Sequence, residues 1–371
     1  MLDMDEKTVK MEDLGYDNFF ESNRAKLELD NFAVARVISE TKGAYKIKNT
    51  NGEYLAKITG KMRFNAKSKE DYPAVGDWVA ITELDNDQAV IQAIFPRKSI
   101  IKRKFGDKNK IGEKSDIQII AANIDVAFIV ESVGRDYSLN RLERYLAIAK
   151  DGGIEPAVIL NKIDLISQEE LELKLAEIKE RLGDVEIIPT SAANDEGLDK
   201  LKNYIKKGKT YCFLGSSGVG KSSIINKLLE KDSIKTGDIS EYSDRGRHIT
   251  TKREMYFLAS GGIVIDNPGV REVGMTDTRE GIDSLFGEII VLANECKFID
   301  CTHTHEPGCA VLAAVKSGAL DVEKYENYIS LKKEAEHHEA SKMEKRQKGK
   351  QFGKFVKKMK KELKGVGFKD F

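Results

Sequence analysis

The chain has 371 residues, in which 61 lysines and arginines balance 61 aspartates and glutamates, so its net charge identifies no partner. This length predicts more than one domain, and 40% hydrophobic with 33% charged residues is typical of a soluble globular protein. No apolar stretch approaches the ~20 residues of a membrane-spanning helix, and the charged residues 1–10 predict no signal peptide. We therefore expect a cytoplasmic protein.

The charge is distributed unevenly along the chain. Residues 1–29 form an acid-rich extension, whereas residues 341–371 hold twelve basic and three acidic residues (12 − 3 = +9). A basic tail over 336–371 suggests a polyanionic partner such as RNA or an anionic membrane, and a solvated tail without a ligand is the alternative. A membrane-binding tail would need an apolar face, and four residues at helical spacing could provide one: Phe352, Phe355, Val356 and Met359.

Residues 30–101 show five short runs with the alternating pattern of strands, separated by turn residues such as Asn51-Gly52. These runs are Ala33–Ile38, Ala44–Ile47, Tyr54–Ile58, Asp77–Ile81 and Ala89–Ile94. Five strands in about 70 residues predict a small all-β barrel, for which an OB-fold is our first choice and an SH3-like barrel the alternative. The lysine- and arginine-rich stretch from Arg97 to Lys114 is interpreted as a linker. In the predicted division into domains, the basic linker covers residues 102–114.

Strand-like and helical segments alternate over residues 115–272, which predicts a doubly wound parallel sheet. The predicted strands are Asp125–Val130, Ala157–Leu160, Val185–Pro189, Tyr211–Leu214 and Gly262–Ile265, and the predicted helices are Asn140–Lys150, Glu169–Arg181 and Leu198–Lys206. Residues 273–335 are predicted to be mostly helical around a cysteine and histidine cluster.

A phosphate-binding loop follows the strand Tyr211–Leu214 and precedes a helix. The segment GSSGVGKS at 215–222 fits the P-loop pattern, in which glycines let backbone N–H groups surround phosphates at a helix N-terminus. Lys221 is positioned for the β- and γ-phosphates, and the Ser222 hydroxyl for Mg²⁺.

Two further motifs indicate a guanine nucleotide. The segment NKID at 161–164 ends a predicted strand, and the Asp164 carboxylate can accept hydrogen bonds from guanine N1 and its 2-amino group, which adenine cannot match. Thr190-Ser191-Ala192, after the next strand, is the usual second guanine-side element. The segment DNPG at 266–269 follows another strand and fits DxxG, in which the aspartate holds the Mg²⁺ shell and the Gly269 N–H senses the γ-phosphate.

The order of the motifs predicts a circularly permuted GTPase domain, because NKxD precedes the P-loop here and follows it in ordinary small GTPases. A switch threonine for Mg²⁺ is expected before DxxG, with Thr251 chosen and Thr250 as the alternative. Val270 stands where many GTPases have a water-orienting glutamine, so His248 is the catalytic candidate, with a solvent-facing loop histidine as the alternative. The predicted GTP-binding residues are Asn161, Lys162, Ile163, Asp164, Ser191, Ala192, Gly215, Ser216, Ser217, Gly218, Val219, Gly220, Lys221, Ser222, Ser223, Asp266 and Gly269.

A metal site is predicted in the C-terminal part. Cys296, Cys301, His303 and Cys309 form C-x4-C-x-H-x5-C, and three thiolates with one imidazole fill the closed tetrahedral site of structural zinc. His305 is the alternative imidazole, and the fourth cysteine, Cys212, lies far away in sequence.

The order and combination of these features resemble the ribosome-small-subunit-dependent GTPase A family over roughly residues 30–335. The resemblance rests on NKID at 161–164, GSSGVGKSS at 215–223, GRHxTT at 246–251, DNPG at 266–269 and CKFIDCTHTHEPGC at 296–309. It implies an OB-fold that contacts ribosomal RNA, a zinc domain that contacts the small ribosomal subunit, and GTP hydrolysis stimulated by that subunit late in its maturation. It also implies that His248 assists catalysis and that the four clustered residues bind zinc.

The sequence departs from the family at two positions, where Ile249 and Asn267 each replace a threonine. The predicted protein is therefore a monomeric, multidomain GTPase with Mg²⁺ bound beside GTP and one structural Zn²⁺, an N-terminal OB-fold and a zinc-binding C-terminal domain. An RNA-binding assembly module that holds GTP with little turnover is the alternative function.

Overall fold

The computed structural model describes residues 9–41, 43–105, 116–135, 137–230, 253–266 and 278–336. His248, Thr250, Thr251, Gly269 and residues 337–371 of the basic tail lie outside the described residues. Among the described residues, no helix is both long enough and apolar enough to cross a membrane.

The first folded unit is a closed five-stranded barrel, as predicted. Its strands are β1 (Ala33–Thr41), β2 (Ala44–Lys48), β3 (Glu53–Ile58), β4 (Trp78–Leu84) and β5 (Gln88–Ile94). They pair in the order β1-β2-β3-β5-β4, β4 closes the barrel against β1, and β3 runs parallel to β5. This Greek-key order, with α2 (Gly60–Asn65) between β3 and β4, is that of an OB-fold and not of a simple meander. Val37, Ile47 and Ile81 fill its interior.

The acid-rich extension packs on this barrel. A 3₁₀ turn (Met11–Leu14) and α1 (Asn18–Lys26) place Leu14 and Phe20 against the fully buried Trp78. The Tyr16 ring meets the Trp78 ring edge-on, with 4.9 Å between centroids. Residues 9–29 thus extend the barrel core, which the acidic composition of the segment did not reveal.

The predicted α/β domain is built on another part of the same continuous sheet. Its strands are β8 (Val126–Ser132), β9 (Glu155–Asn161), β10 (Glu186–Thr190), β11 (Thr210–Leu214), β12 (Arg253–Phe257) and β13 (Ile263–Asp266), in the order β12-β13-β11-β8-β9-β10. All neighbours are parallel except β12. One face is covered by α3 (Leu139–Asp151) and α4 (Gln168–Leu182), the other by α5 (Leu198–Tyr204) and α6 (Lys221–Leu229). The doubly wound sheet predicted from the sequence is confirmed.

Residues 97–114 were interpreted as a linker, and this is wrong for residues 100–105, which form a strand. Strand β6 (Ile100–Phe105) forms an antiparallel hairpin with β7 (Asp116–Ala122). Ile101 is buried and pairs with Ala121, so the strand is anchored by its apolar start although Lys102 and Arg103 give it the composition of a linker. The domain boundaries proposed from the sequence remain predictions.

The barrel and the α/β domain share a continuous sheet and a buried arginine. Strand β12 pairs with β13 on one side and with β1 of the barrel on the other. The guanidinium of Arg36 on β1 donates to Leu14 O (2.5 Å), Asn123 O (3.1 Å), Gly76 O (3.3 Å) and Thr210 Oγ1 (2.8 Å). This one side chain therefore connects the N-terminal segment, the barrel and the strand that leads into the P-loop.

The C-terminal part packs on α3. It contains α7 (Arg279–Leu285), α8 (Gly287–Ala293), α9 (Ala310–Ser317) and the helical residues 322–336. Gly281 of α7 lies so close to α3 that a Cβ there would meet Ala147 O at 2.0 Å. Two polar contacts connect α3 to the helical residues 322–336. Buried Glu143 accepts a hydrogen bond from Asn327 Nδ2 (2.5 Å), and the Arg144 guanidinium forms two contacts with the Glu334 carboxylate (2.8 and 2.6 Å).

Candidate nucleotide-binding site and metal centre

The predicted P-loop lies between β11 and α6, at the carboxyl ends of the parallel strands. Gly215 has φ 142° and Gly220 has φ 100°, both in the region that favours glycine. A Cβ on Gly215 would lie 2.3 Å from Val130 O, and one on Gly220 would lie 2.2 Å from Asn161 Nδ2. Glycine is therefore required here by close approach to two neighbouring strands as well as by backbone conformation.

Lys221 begins α6, and its ammonium group lies over the loop. Nζ donates to Gly215 O at 2.8 Å and to Ser216 O at 2.5 Å. Ser222 and Ser223 follow in the first turn of α6 and are partly buried. A cation held beside backbone N–H groups at the N-terminus of a nine-residue helix is an arrangement suited to phosphate.

The asparagine of the NKxD segment is hydrogen-bonded to the P-loop. Asn161 ends β9 and is 1% exposed, its Nδ2 donates to Val219 O at 2.8 Å, and its Oδ1 accepts from Thr190 Oγ1 at 3.1 Å. One side chain thus connects β9, β10 and the phosphate loop, and it sets the position of the base-recognition segment relative to the phosphates.

Asp164 follows Asn161 on a 3₁₀ turn (Ile163–Leu165), where Ile163 is buried and the Asp164 side chain is exposed. Lys162 before it has φ 65°, which turns the chain sharply after β9. Asp164 Oδ1 accepts from Ser191 Oγ at 2.5 Å, and Ala192 follows Ser191. The structure therefore brings the two predicted guanine-side segments into direct contact, and no described residue donates a hydrogen bond to the second carboxylate oxygen of Asp164.

Asp266 ends β13, next to β11 and the P-loop. Burial raises the pKa of its carboxyl group, while the positive charge of Lys221 acts in the opposite direction. Lys221 and Asp266 are thus close enough to interact, as a magnesium-nucleotide site requires. The rest of the DxxG motif and the switch residues Thr250, Thr251 and His248 lie outside the described residues.

Sequence reasoning missed three residues beside the P-loop. Desolvation raises the pKa of the buried Tyr145 phenol on α3, and the Ser216 side chain of the P-loop acts in the opposite direction. Glu131, at the end of β8, is fully buried, and one of its oxygens lies 3.3 Å from Arg141 Nη1. A glutamate at the end of an otherwise apolar strand was the one sequence signal that could have drawn attention to this contact.

The second candidate site is the cysteine and histidine cluster. The ligand atoms of Cys296, Cys301, His303 and Cys309 all lie within 4.8 Å of one another. Cys296 Sγ is 3.8 Å from Cys309 Sγ, and His303 Nδ1 is 3.6 Å from each of these two sulfurs. Zinc bonds of about 2.3 Å to sulfur and about 2.0–2.1 Å to nitrogen give tetrahedral separations of about 3.8 and 3.6 Å. The residues fit a tetrahedral metal ion.

Local structure holds these ligands in place. His303 has φ 61°, and Tyr325 donates its hydroxyl to His303 O at 2.8 Å. Burial opposes ionisation of the Cys296 thiol, but hydrogen bonds from the backbone of Ala310 and Val311 and from the Cys309 and Cys301 thiols together lower its pKa below the ordinary value. Burial also lowers the pKa of His303, which favours the neutral, ligating imidazole. The alternative His305 lies outside the cluster, where its Nδ1 contacts the Thr304 hydroxyl.

Comparison with known proteins places these features in a family context. A family profile described as RsgA GTPase matches residues 94–276. The chain is 42% identical over 301 residues to small ribosomal subunit biogenesis GTPase RsgA 2 of Lactiplantibacillus plantarum, covering 81% of this chain and 83% of the relative. It is 39% identical over 347 residues to small ribosomal subunit biogenesis GTPase RsgA 1 of Bacteroides thetaiotaomicron, covering 93% and 95%.

Two solved structures have the same fold. The crystal structure of YjeQ from Thermotoga maritima superposes with a TM-score of 0.60 at 27% identity, covering 80% of this chain and 96% of that one. The structure of YloQ, described as a circularly permuted GTPase, gives a TM-score of 0.56 at 23% identity, covering 82% and 96%. The permutation inferred from motif order agrees with this fold.

Proposed function

The chain belongs to the RsgA GTPase family, and on this premise we propose that it hydrolyses GTP to GDP and phosphate during late maturation of the small ribosomal subunit. The proposal depends on two hydrogen bonds of the Asn161 side chain. They connect the NKxD segment to the P-loop and to the Thr190-Ser191 segment. The segment that would recognise the base and the loop that would bind the phosphates are thereby held at one edge of the sheet. The names of the relatives support the ribosomal role.

The positions of the described residues support the following roles, and the role of Thr251 follows from the motif order alone. Backbone N–H groups of residues 215–223 would surround the phosphates, with Lys221 turning from the loop carbonyls to the β- and γ-phosphates. Asp164, oriented by Ser191, would accept hydrogen bonds from guanine. Asp266 would hold the hydrated Mg²⁺, with Ser222 and Thr251 as its direct protein ligands. Bound Mg²⁺ would supply charge neutralisation on the phosphate oxygens.

Three roles rest on the family resemblance. His248 would assist hydrolysis, and the Gly269 N–H would sense the γ-phosphate. The cluster around Cys296 would hold one structural zinc ion, a role that its closed donor set and tetrahedral spacing support. We propose further that the protein acts as a cytoplasmic monomer and that the barrel contacts ribosomal RNA.

The test is phosphate release from GTP by the purified protein, measured alone, with small ribosomal subunits, and with large subunits as the control. We expect slow turnover by the free protein and strong stimulation by small subunits only. Lys221→Ala should remove nucleotide binding, and His248→Ala should retain binding but lose stimulated turnover.

Turnover that no ribosomal particle accelerates would refute the ribosomal role and favour an RNA-binding module that holds GTP as a structural ligand. Full activity of His248→Ala would remove that residue from catalysis.

A further inference from the structure

A second carboxylate lies beside Asp266, the aspartate of the DxxG motif. Glu254 of β12 is directly opposite Asp266 of β13 in their antiparallel pair. Residues directly opposite each other in such a pair share one face of the sheet, with Cβ atoms about 4.5–5.5 Å apart. Burial raises the pKa of the Asp266 carboxyl group, the charge of Lys221 lowers it, and the charge of Glu254 raises it. The two carboxylates and the P-loop lysine therefore form one charged cluster.

The face that Glu254 and Asp266 share is the one covered by the P-loop helix. Val264, two residues before Asp266 on β13, belongs to the same core cluster as Ile224 of α6. Side chains alternate along a strand, so Asp266 and Glu254 also point to the α6 side of the sheet. Ser222, the predicted magnesium ligand, lies in the first turn of that helix. Glu254 is therefore on the correct side of the sheet to act on the magnesium site.

Local structure holds the Glu254 carboxylate in place. Tyr256, two residues further along β12, donates its hydroxyl to Glu254 Oε2 at 3.1 Å. On the other side of β12, Glu254 is opposite Ser39 of the barrel strand β1. The backbone of Glu254 is thus paired on both sides, and one of its carboxylate oxygens has a fixed hydrogen-bond donor.

Two neighbouring carboxylates at a phosphate-binding site require positive charge, because like charges disfavour each other's ionised form. Lys221 supplies one positive charge, but in the proposed function it turns to the β- and γ-phosphates. Mg²⁺ takes about six oxygen ligands in octahedral geometry and usually keeps several water molecules. The hydrogens of these water molecules need acceptors, and carboxylate oxygens are strong ones. A pair of carboxylates can therefore serve a hydrated magnesium ion better than Asp266 alone.

We propose that Glu254 is a second carboxylate of the magnesium site, accepting hydrogen bonds from the water molecules of the hydrated ion alongside Asp266, with Tyr256 holding it in position. The inference rests on the proposed function, which places Mg²⁺ beside the nucleotide. A glutamate that only stabilised the sheet would contribute equally with and without the metal. Glu254, in contrast, opposes the phosphates by its charge when Mg²⁺ is absent and supports their binding when Mg²⁺ is present.

The test measures the metal dependence of nucleotide binding without a hydrolysis step. Release of fluorescent methylanthraniloyl-GDP from the full-length protein is followed over a range of free Mg²⁺ concentrations. Electron paramagnetic resonance of Mn²⁺ titrated into the GDP complex measures the metal affinity directly. We expect Glu254→Gln to raise the metal concentration for half-maximal slowing of GDP release about 10- to 100-fold, the usual loss when a group that hydrogen-bonds a metal's ligand is removed. Without metal, the variant should bind GDP at least as tightly as wild type.

Two variants accompany Glu254→Gln. Tyr256→Phe keeps the carboxylate but removes its hydroxyl donor, so it should shift the metal response by about 2- to 10-fold. It also carries the test if Glu254→Gln does not fold, which the unfolding transition without metal and nucleotide shows. Glu155→Gln removes the same charge from an exposed glutamate at the start of β9, at the end of the sheet away from the P-loop, and should leave the metal response unchanged.

A metal response of Glu254→Gln within twofold of wild type would overturn the proposal, as would an equal shift in Glu155→Gln. Weaker GDP binding by Glu254→Gln in the absence of metal would assign the residue to the stability of the sheet instead. Phosphate release from GTP with and without small subunits is measured on the same preparations. A wild-type protein that binds GDP but is not stimulated by small subunits refutes the proposed ribosomal role, whereas the metal titration decides the role of Glu254 separately.

Discussion

Substitution of Asp164 by asparagine should change the base that the site selects. Asp164 Oδ1 already accepts from Ser191 Oγ at 2.5 Å, so in Asp164→Asn the side-chain oxygen keeps this partner and the new amide NH₂ faces the base. Guanine N1 and its 2-amino group then meet a donor where they need an acceptor. The carbonyl at C2 of xanthine, in contrast, accepts from that donor.

The size of the effect follows from the hydrogen bonds exchanged. A hydrogen bond to a charged group contributes about 1.5–3 kcal/mol, so loss of two weakens GTP binding by about 3–6 kcal/mol, or about 10²- to 10⁴-fold. We expect XTP to bind the variant more tightly than GTP. Displacement of a fluorescent nucleotide by GTP, XTP and ATP measures all three affinities on wild type and variant.

Ser191 provides the matched control. Ser191→Ala in the Asp164→Asn background frees the amide to rotate, and loss of one neutral hydrogen bond of about 0.5–1.5 kcal/mol should reduce XTP affinity about 2- to 10-fold. An Asp164→Asn variant that still prefers GTP over XTP would refute the assignment of base recognition to this carboxylate. An unchanged XTP affinity in the double variant would refute the orienting role of Ser191.

Three further outcomes are expected. Lys221→Ala should lower GTP affinity at least about 100-fold by calorimetry, because it removes charge-assisted contacts to phosphate, with the unfolding transition unchanged. Cys301→Ser should reduce bound zinc, measured by mass spectrometry, from about one ion per chain to near zero, whereas His305→Ala should retain the ion. Acidification should release the metal, because its ligands bind in their deprotonated forms. Arg36→Met leaves buried acceptors such as Leu14 O without their donor, so the free energy of unfolding should fall by about 3–5 kcal/mol in urea denaturation; a change below 1 kcal/mol would contradict a structural role for the junction.

The strands and motifs could be predicted because their signals are local. A P-loop needs glycines at fixed offsets, and parallel strands with two buried faces appear as apolar runs such as β8. Strand β12 escaped prediction because Arg253 and Glu254 give its five residues a polar start, and its place is set by pairing with β13 and β1. The β6–β7 hairpin was missed because Lys102 and Arg103 give β6 the composition of a linker.

Contacts between distant segments could not be predicted from local patterns. The hydrogen-bond partners of Arg36 lie between 22 and 174 positions away in sequence, so the residues around position 36 could not predict them. Asn161 was predicted to bind nucleotide from its motif, yet its contacts to Val219 and Thr190 depend on the packing of β9 beside β10 and the P-loop. The sequence placed the site at one sheet edge, and tertiary packing determined which side chains hold it together.

Helix α3 contacts both the nucleotide site and the C-terminal region. The Ser216 side chain of the P-loop lowers the pKa of its Tyr145, while the preceding residues Glu143 and Arg144 contact Asn327 and Glu334 of the helical residues 322–336. Adjacent positions of one helical turn move together, because backbone hydrogen bonds fix their spacing. Any coupling of nucleotide binding to partner binding through this turn of α3 must be reciprocal, so each ligand would change the affinity for the other by the same factor.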